Sequence, residues 1–112
     1  MNTQLGQAFQ QEMKIAKDQY RRQSYTTAFH HLERAHILGQ GYVIPHTLSH
    51  CWMMKVGWQQ RDGKEVAGQI PRILASLIIS RFWVPLGNTG GTNVSPFKSM
   101  PLPKDLEKLL TT

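Results

Sequence analysis

The feature that most constrains the fold is a helical spacing of apolar residues, which recurs in four successive stretches of the chain. Residues three or four apart share one face of an α-helix, so this spacing predicts helices with one buried face. The stretches predict helices over residues 5–22, 25–38, 45–60 and 64–81. The residues expected to be buried are Leu5, Phe9, Met13, Ala16, Tyr20, Ala28, Phe29, Leu32, Ala35, Met53, Met54, Gly57, Trp58, Val66, Ile70, Ile73, Leu74 and Leu77. On the first helix the opposite, polar face is predicted to carry Gln11, Glu12, Lys14 and Asp18. The pattern predicts an all-α protein.

Residues that start or stop helices separate these stretches. Ser24 suits the N-cap of the second helix, Gly39 suits its end, and Pro45 suits the first turn of the third. Pro71 lies inside the fourth helix, where it predicts a kink or an interruption. Short connections join antiparallel neighbours, so we expect two antiparallel helical hairpins.

The two hairpins resemble each other at an offset of 38 residues. Tyr20 aligns with Trp58 and Leu32 aligns with Ile70; the other aligned pairs are Ala28 with Val66, Lys17 with Lys55 and Arg34 with Arg72. Each half has an aromatic residue, then a short turn, then a small apolar residue, and a larger apolar residue four positions later. This order is similar to the tetratricopeptide pattern. The repeat predicts a tetratricopeptide-like pair of hairpins.

The composition changes after Arg81, where proline and glycine become frequent. These residues exclude a long helix or a central strand, and the interspersed Val84, Leu86, Val94, Phe97, Met100 and Leu102 predict a strap packed along the helices. Residues 103–110 predict a short last helix. With 112 residues, the sequence predicts a single domain, with a helical core over 1–83 and the strap and short helix over 84–112.

Four polar residues near the second turn form a candidate metal site. Glu33 and His36 lie three apart on the second helix, and His46 and His50 lie four apart on the third. Each pair shares one helix face, and a tight hairpin is expected to set His36 opposite His46 and Glu33 opposite His50. Three imidazoles and a carboxylate suit a divalent transition metal, zinc first, and also iron, nickel or copper.

Two other interpretations of these residues remain open. A buried histidine often hydrogen-bonds a carboxylate or a backbone carbonyl, so Glu33 can belong to an ordinary polar network. Glu33 can also tune a histidine for acid–base chemistry. Outside the site, Cys51 is expected to be a buried cysteine and residues 87–91 a structural turn.

Residues spread over most of the chain carry a resemblance to a known family. They are 32–38, His46, His50, Gly57, Trp58, Arg61, Asp62, Gly68, Gln69, 87–90, Met100 and Pro101. With these residues the sequence resembles a short, uncharacterised bacterial family, domain of unknown function 3703. Members of that family often occur beside metal-resistance and metal-transport genes, so the resemblance favours a role in metal handling. It implies no role for Cys51 or His31.

Charge and hydropathy narrow the class of protein further. The net charge of +6 is scattered along the chain without a nucleic-acid motif, so a nucleic-acid partner is not expected. A single cysteine, the lack of a visible signal peptide and the lack of a membrane-length apolar run predict a cytoplasmic protein without membrane contact.

Two function classes follow from the whole sequence. The first is an accessory protein in metal handling or resistance. The second is a helical-repeat adaptor that binds a protein partner, or a second copy of itself, through its helix faces. No cofactor fingerprint identifies an enzyme.

Overall fold

The computed structural model describes residues 1–79, 89–92 and 99–111, and this part of the chain contains five helices and no strand. The helices are α1 (Thr3–Arg21), α2 (Tyr25–Gly39), α3 (Val43–Gln59), α4 (Gly63–Ile79) and α5 (Lys104–Thr111). The all-α prediction is confirmed, and every predicted helix starts within two residues of the observed one. The helix α4 runs through Pro71 without interruption. The predicted strap residues Val84, Leu86, Val94 and Phe97 lie outside the described residues.

The first four helices pack as two antiparallel hairpins, as predicted. The helix α1 packs on α2, α3 packs on α4, and α2 packs on α3 to join the hairpins into a row. The helices α2 and α4 begin 38 residues apart, at Tyr25 and Gly63, in agreement with the predicted offset. Leu32 and Ile70 are equivalent at this offset, but they differ in burial. Leu32 is fully buried, whereas Ile70 is 51% exposed. The tetratricopeptide likeness stays a prediction.

The apolar core lies between α1, α2, α3 and α5. The side chains expected to be buried in α1 and α2 are buried, apart from Tyr20 and Phe29, which pack against the core from its edge. The helix α5 adds Leu106, which is 2% exposed, and Leu102 before it also packs on the core. The chain therefore returns to the first hairpin at its C-terminal end. No helix in the described part of the chain is long and apolar enough to cross a bilayer.

A polar network ties α1, α2 and α5 together. Glu12 was predicted on the polar face of α1, but it is buried, because His31 Nδ1 contacts its Oε1 at 2.8 Å and Arg34 Nε donates to its Oε2 at 3.0 Å. Arg34 also donates to Asp105 at the start of α5. This hydrogen bond holds the pKa of the Asp105 carboxyl below its usual range.

The orientation of α4 differs from the prediction. Ile70, Leu74 and Leu77 were expected to be buried, yet they are 51%, 58% and 54% exposed. The buried residues of this helix include Glu65, Gln69 and Ser76. A polar stripe faces inward because it finds hydrogen-bond partners there, such as Thr47 Oγ1, which lies 2.7 Å from Ser76 Oγ.

The end of α3 brings a second correction to the predicted core. Met53 and Gly57 are buried, as expected. Met54 was also expected to be buried but is only half-buried, and Trp58 is 72% exposed. Trp58 lies in the last turn of α3, where the chain leaves the packed part of the hairpin.

Candidate metal centre

Three histidines meet where α2 turns into α3. His36 lies in the last turn of α2, His46 in the first turn of α3, and His50 one turn later. The turn between the helices is tight, because Tyr42 N donates to Gly39 O at 2.9 Å. A Cβ on Gly39 would lie only 2.7 Å from Cβ of Pro45, so glycine allows α3 to start this close to α2.

The three Nε2 atoms form an equilateral triangle. His36 Nε2 lies 3.1 Å from His46 Nε2 and 3.1 Å from His50 Nε2, and the distance between His46 Nε2 and His50 Nε2 is also 3.1 Å. The rings are not stacked on one another; they meet at interplanar angles of 45° to 72°. One edge nitrogen from each ring therefore points at a common centre.

Hydrogen bonding among the rings does not account for this arrangement. A ring nitrogen of neutral histidine either donates one hydrogen or accepts through one lone pair. If one of the three Nε2 atoms donates, the other two both accept, and their lone pairs face each other. If two of them donate, their two hydrogens face each other. At least one of the three contacts is therefore unfavourable in the neutral cluster. A cation at the centre turns all three lone pairs into favourable interactions.

Residues of α4 and of the following loop fix the tautomer of His50. Gln69 Nε2 donates to Glu65 Oε2 at 2.5 Å and to Gly90 O at 3.0 Å, so the amide oxygen faces His50. His50 Nδ1 lies 2.6 Å from that oxygen and must donate to it, which leaves the lone pair on Nε2. Glu65 is held in turn, because its Oε1 accepts hydrogen bonds from Thr92 N at 3.2 Å and Thr92 Oγ1 at 2.9 Å. His50 is thus oriented as metal-binding histidines usually are, by a partner on the other ring nitrogen.

The loop at residues 89–92 also covers His36. Gly90 has φ +86°, a conformation that side chains disfavour, and a Cβ at this position would lie 2.6 Å from Cδ2 of His36. The loop backbone therefore packs directly on the imidazole.

Similarity to a known family extends over nearly the whole chain. Residues 3–110 match the profile of the family described as Protein of unknown function (DUF3703). The chain belongs to this family. No curated protein and no solved structure gives a significant match.

Burial keeps His46 and His50 of the DUF3703 protein neutral. Burial lowers the pKa of His46 to about 4. Burial, followed by repulsion from His46, lowers the pKa of His50 to about 3. Nδ1 of His46 is buried and has no hydrogen-bond partner among the described residues, so no hydrogen bond fixes the tautomer of that ring. Neutral imidazole is the form that coordinates metals.

Glu33 does not join the three histidines. Among the described residues, the ligand atoms that lie within 4.8 Å of one another belong to His36, His46 and His50 alone. Glu33 is half-buried and hydrogen-bonds Thr89, while burial and the nearby Glu65 raise the pKa of its carboxyl. His50 faces His36 and Gln69, and this differs from the predicted pairing with Glu33. Along the hairpin, His36 lies between the heights of His46 and His50, so the His36 ring contacts both of them.

The residues that support the site were missed at the sequence level. Gln69, Gly90 and Thr92 lie 19 to 42 positions beyond His50 and share no helix face with it. The family resemblance carried a signal for two of them, because it includes Gly68-Gln69 and residues 87–90. It carried none for Thr92. His31 lies outside the centre, as predicted, and pairs with Glu12. Cys51 is half-buried, less than expected, and is not part of the centre.

Proposed function

We propose that this protein binds one divalent transition metal ion, zinc first, through Nε2 of His36, His46 and His50. The observation that carries the proposal is the triangle of nitrogen atoms at 3.1 Å. Three nitrogens at this spacing could all lie about 2.0–2.1 Å from one metal ion, the usual distance between zinc and a histidine nitrogen. The three histidines would then supply three of the four ligands of a tetrahedral zinc site.

An open position favours a site that exchanges its metal or binds another ligand. Structural zinc sites are usually closed by four protein ligands, whereas three ligands leave room for water or a donor from another molecule. Iron, nickel and copper also accept imidazole ligands, so the histidines alone do not select zinc. We therefore propose an accessory role in metal handling, in which the protein holds an ion and passes it on. The proposed location is the cytoplasm, since Cys51 has no second cysteine with which to form an internal disulfide.

The deciding experiment measures zinc binding by the metal-stripped protein. A ligand at one hundred times its Kd stabilises the folded state by about 2.7 kcal/mol, which for a domain of this size raises Tm by roughly 10 °C. His36→Ala and His46→Ala should each abolish the rise. The matched control is His31→Ala, because His31 lies on the same helix but contacts Glu12.

Circular dichroism of each variant separates loss of the site from loss of the fold. Elemental analysis and calorimetry should give one zinc per chain. Failure of zinc to bind the folded wild-type protein would leave the polar-network interpretation and reject the proposal.

A further inference from the structure

Two lysines and three aromatic side chains meet where α1 lies beside α3. The Tyr20 ring of α1 contacts the Trp52 ring of α3 edge-on, with centroids 5.4 Å apart. Tyr25, at the start of α2, meets Tyr20 in the same way at 5.7 Å. Lys55 Nζ lies 4.1 Å from the centroid of the Trp52 ring and 5.8 Å from that of Tyr20. Lys17 Nζ lies 5.5 Å from the Trp52 centroid. Two helices thus bring an ammonium group to the same indole ring.

Neither ammonium group has an acidic partner. No ion pair joins Lys17 or Lys55 to a carboxylate in the described part of the chain. The helix α3 contains no aspartate or glutamate. Both acids of α1 are engaged elsewhere, Glu12 in the buried network and Asp18 in an ion pair with Arg21. An aromatic ring attracts a cation but carries no net charge, so the two positive charges stay uncompensated.

The indole ring also fixes how far apart these charges lie. The two ammonium groups are no more than about 10 Å from each other, because both lie close to the Trp52 centroid. A lysine side chain usually loses rotamer freedom when it binds an anion, and contact with the rings already restricts that freedom here. The pair is therefore prepared to bind two carboxylates that lie near each other in one partner.

Apolar side chains continue this surface along α3. Lys55 lies seven positions after Leu48 and eleven after Ile44, so the three residues share one side of the helix, within about 40° of one another. Ile44 is 70% exposed and Leu48 is 43% exposed. Leu48 lies about 10 Å from Lys55 along the helix axis. Together with Lys17 and Trp52, these residues form one surface, the α1–α3 surface, with an apolar end and a cationic end.

We propose that the α1–α3 surface binds an acidic polypeptide segment of a partner protein. Two carboxylates of the segment pair with Lys17 and Lys55, and an apolar side chain packs on Ile44 and Leu48. Charge complementarity supports an acidic partner, because opposite charges at a contact speed the encounter and disfavour other partners. The proposal does not depend on the metal centre, since none of these side chains belongs to it.

The same residues favour a polypeptide over a single-stranded nucleic acid. Proteins that bind single strands stack the bases on exposed aromatic faces. Lys55 lies over the Trp52 ring and occupies one face of it. The exposed aliphatic side chains of Ile44 and Leu48 match the apolar side chains of a polypeptide, whereas the phosphates and sugars of a nucleic acid offer them no apolar contact.

The test selects random peptides displayed on phage against the full-length wild-type protein. The selected peptides should be enriched in aspartate and glutamate and should also contain apolar residues. Synthetic, fluorescently labelled copies are then titrated by anisotropy. Lys17→Gln with Lys55→Gln should weaken their binding about 10-fold, because two exposed ion pairs are lost while most of each side-chain stem remains. Ile44→Ser with Leu48→Ser should also weaken it.

The matched control is Lys64→Gln with Lys104→Gln, which removes the same charge from exposed positions at the starts of α4 and α5. This variant should bind the peptides like the wild type. Equal weakening in the two lysine variants would overturn the proposal, because net charge alone would then explain binding. Circular dichroism checks each fold. If Lys17→Gln with Lys55→Gln unfolds the protein, Lys55→Gln alone replaces it, since Lys55 is exposed.

Two further outcomes would also overturn the proposal. The first is a set of selected peptides that shows no excess of acidic residues. The second concerns oligothymidylate, titrated in parallel. If it binds the wild-type protein more tightly than the selected peptides do, and loses that affinity in Lys17→Gln with Lys55→Gln, the surface recognises a nucleic acid instead.

Discussion

His50 illustrates how a single side chain is prepared to bind a metal. Its ring is buried and neutral, and Gln69 holds the hydrogen on Nδ1 so that the Nε2 lone pair faces the centre. Gln69 is itself fixed by Glu65 and by the carbonyl of Gly90. The ligand thus depends on residues that never touch the metal position.

The amide of Gln69 gives the first prediction. Gln69→Ala should weaken zinc binding about 10- to 100-fold, because the orientation and tautomer of His50 are no longer fixed. Calorimetric titration measures the change. The control is Gln59→Ala, since Gln59 is exposed at the end of α3. Equal affinities of the Gln69→Ala and wild-type proteins would contradict the role assigned to this amide.

Gly90 gives the second prediction. Gly90→Ala should reduce both stability and zinc affinity, because the new methyl group would overlap the His36 ring and the backbone would be strained at φ +86°. Gly41→Ala is the matched control, since a Cβ there meets nothing within 4 Å. Thermal unfolding of both variants, with and without zinc, measures the change. Equal melting temperatures of the two variants under both conditions would show that the loop does not pack on His36.

The lowered pKa values of His46 and His50 give a prediction for the metal-free protein. Below pH 6.5 the unfolded chain takes up protons at these histidines, while the folded protein does so only near pH 4 and pH 3. The contribution of these two histidines to the free energy of unfolding is therefore fully present above about pH 6.5. It falls as the pH is lowered, by on the order of 2 kcal/mol per histidine at pH 5.

Urea unfolding at pH 7 and pH 5, in the presence of a chelator, measures this loss. His46→Gln should reduce the difference between the two pH values. His30→Gln should leave it unchanged, because His30 is exposed. A difference that is the same in all three proteins would show that His46 is protonated in the folded state.

At the scale of elements, the last helix depends on one arginine. Arg34 of α2 donates to Glu12 of α1 and to Asp105 of α5, so it joins three helices. Its side chain is 20% exposed and that of Glu12 is 11% exposed, which limits screening by water. The Asp105 side chain is 64% exposed and adds less.

Arg34→Leu should therefore lower the free energy of unfolding by about 1–3 kcal/mol, because the buried Glu12 loses a charged partner. Urea unfolding measures the change. Arg21→Leu is the control: Arg21 pairs with Asp18 at 2.8 Å, but it is 69% exposed, so its loss should cost less than ~0.5 kcal/mol. Comparable effects of the two substitutions would contradict the structural role of Arg34.

At the scale of the whole molecule, the candidate metal centre is assembled from separate parts of the chain. His36 comes from α2, and His46 and His50 come from α3. Gln69 of α4 and Gly90 of the loop at residues 89–92 hold these rings in place. Because these parts meet only in the folded protein, a zinc ion bound there would stabilise the fold as a whole.

The sequence by itself determined the local features of this protein. Helical spacing located the helices, and Gly39 and Pro45 indicated the tight turn between α2 and α3. The spacing of His46 and His50 placed them on one face. These inferences succeed because they depend on residues close together in the chain, where the geometry of the helix leaves few choices.

Only the tertiary structure decided which face of α4 turns inward. The apolar stripe of α4 predicted burial of Leu74, yet the helix is rotated so that Gln69 reaches His50, and Leu74 is exposed. The same long-range packing placed Gly90 against His36 and left Glu33 beside Thr89. The rotation of a helix about its own axis depends on the sum of its contacts with distant segments. Periodicity identifies a stripe on a helix, but the hydrogen-bonding needs of buried partners elsewhere in the chain select the stripe that is covered.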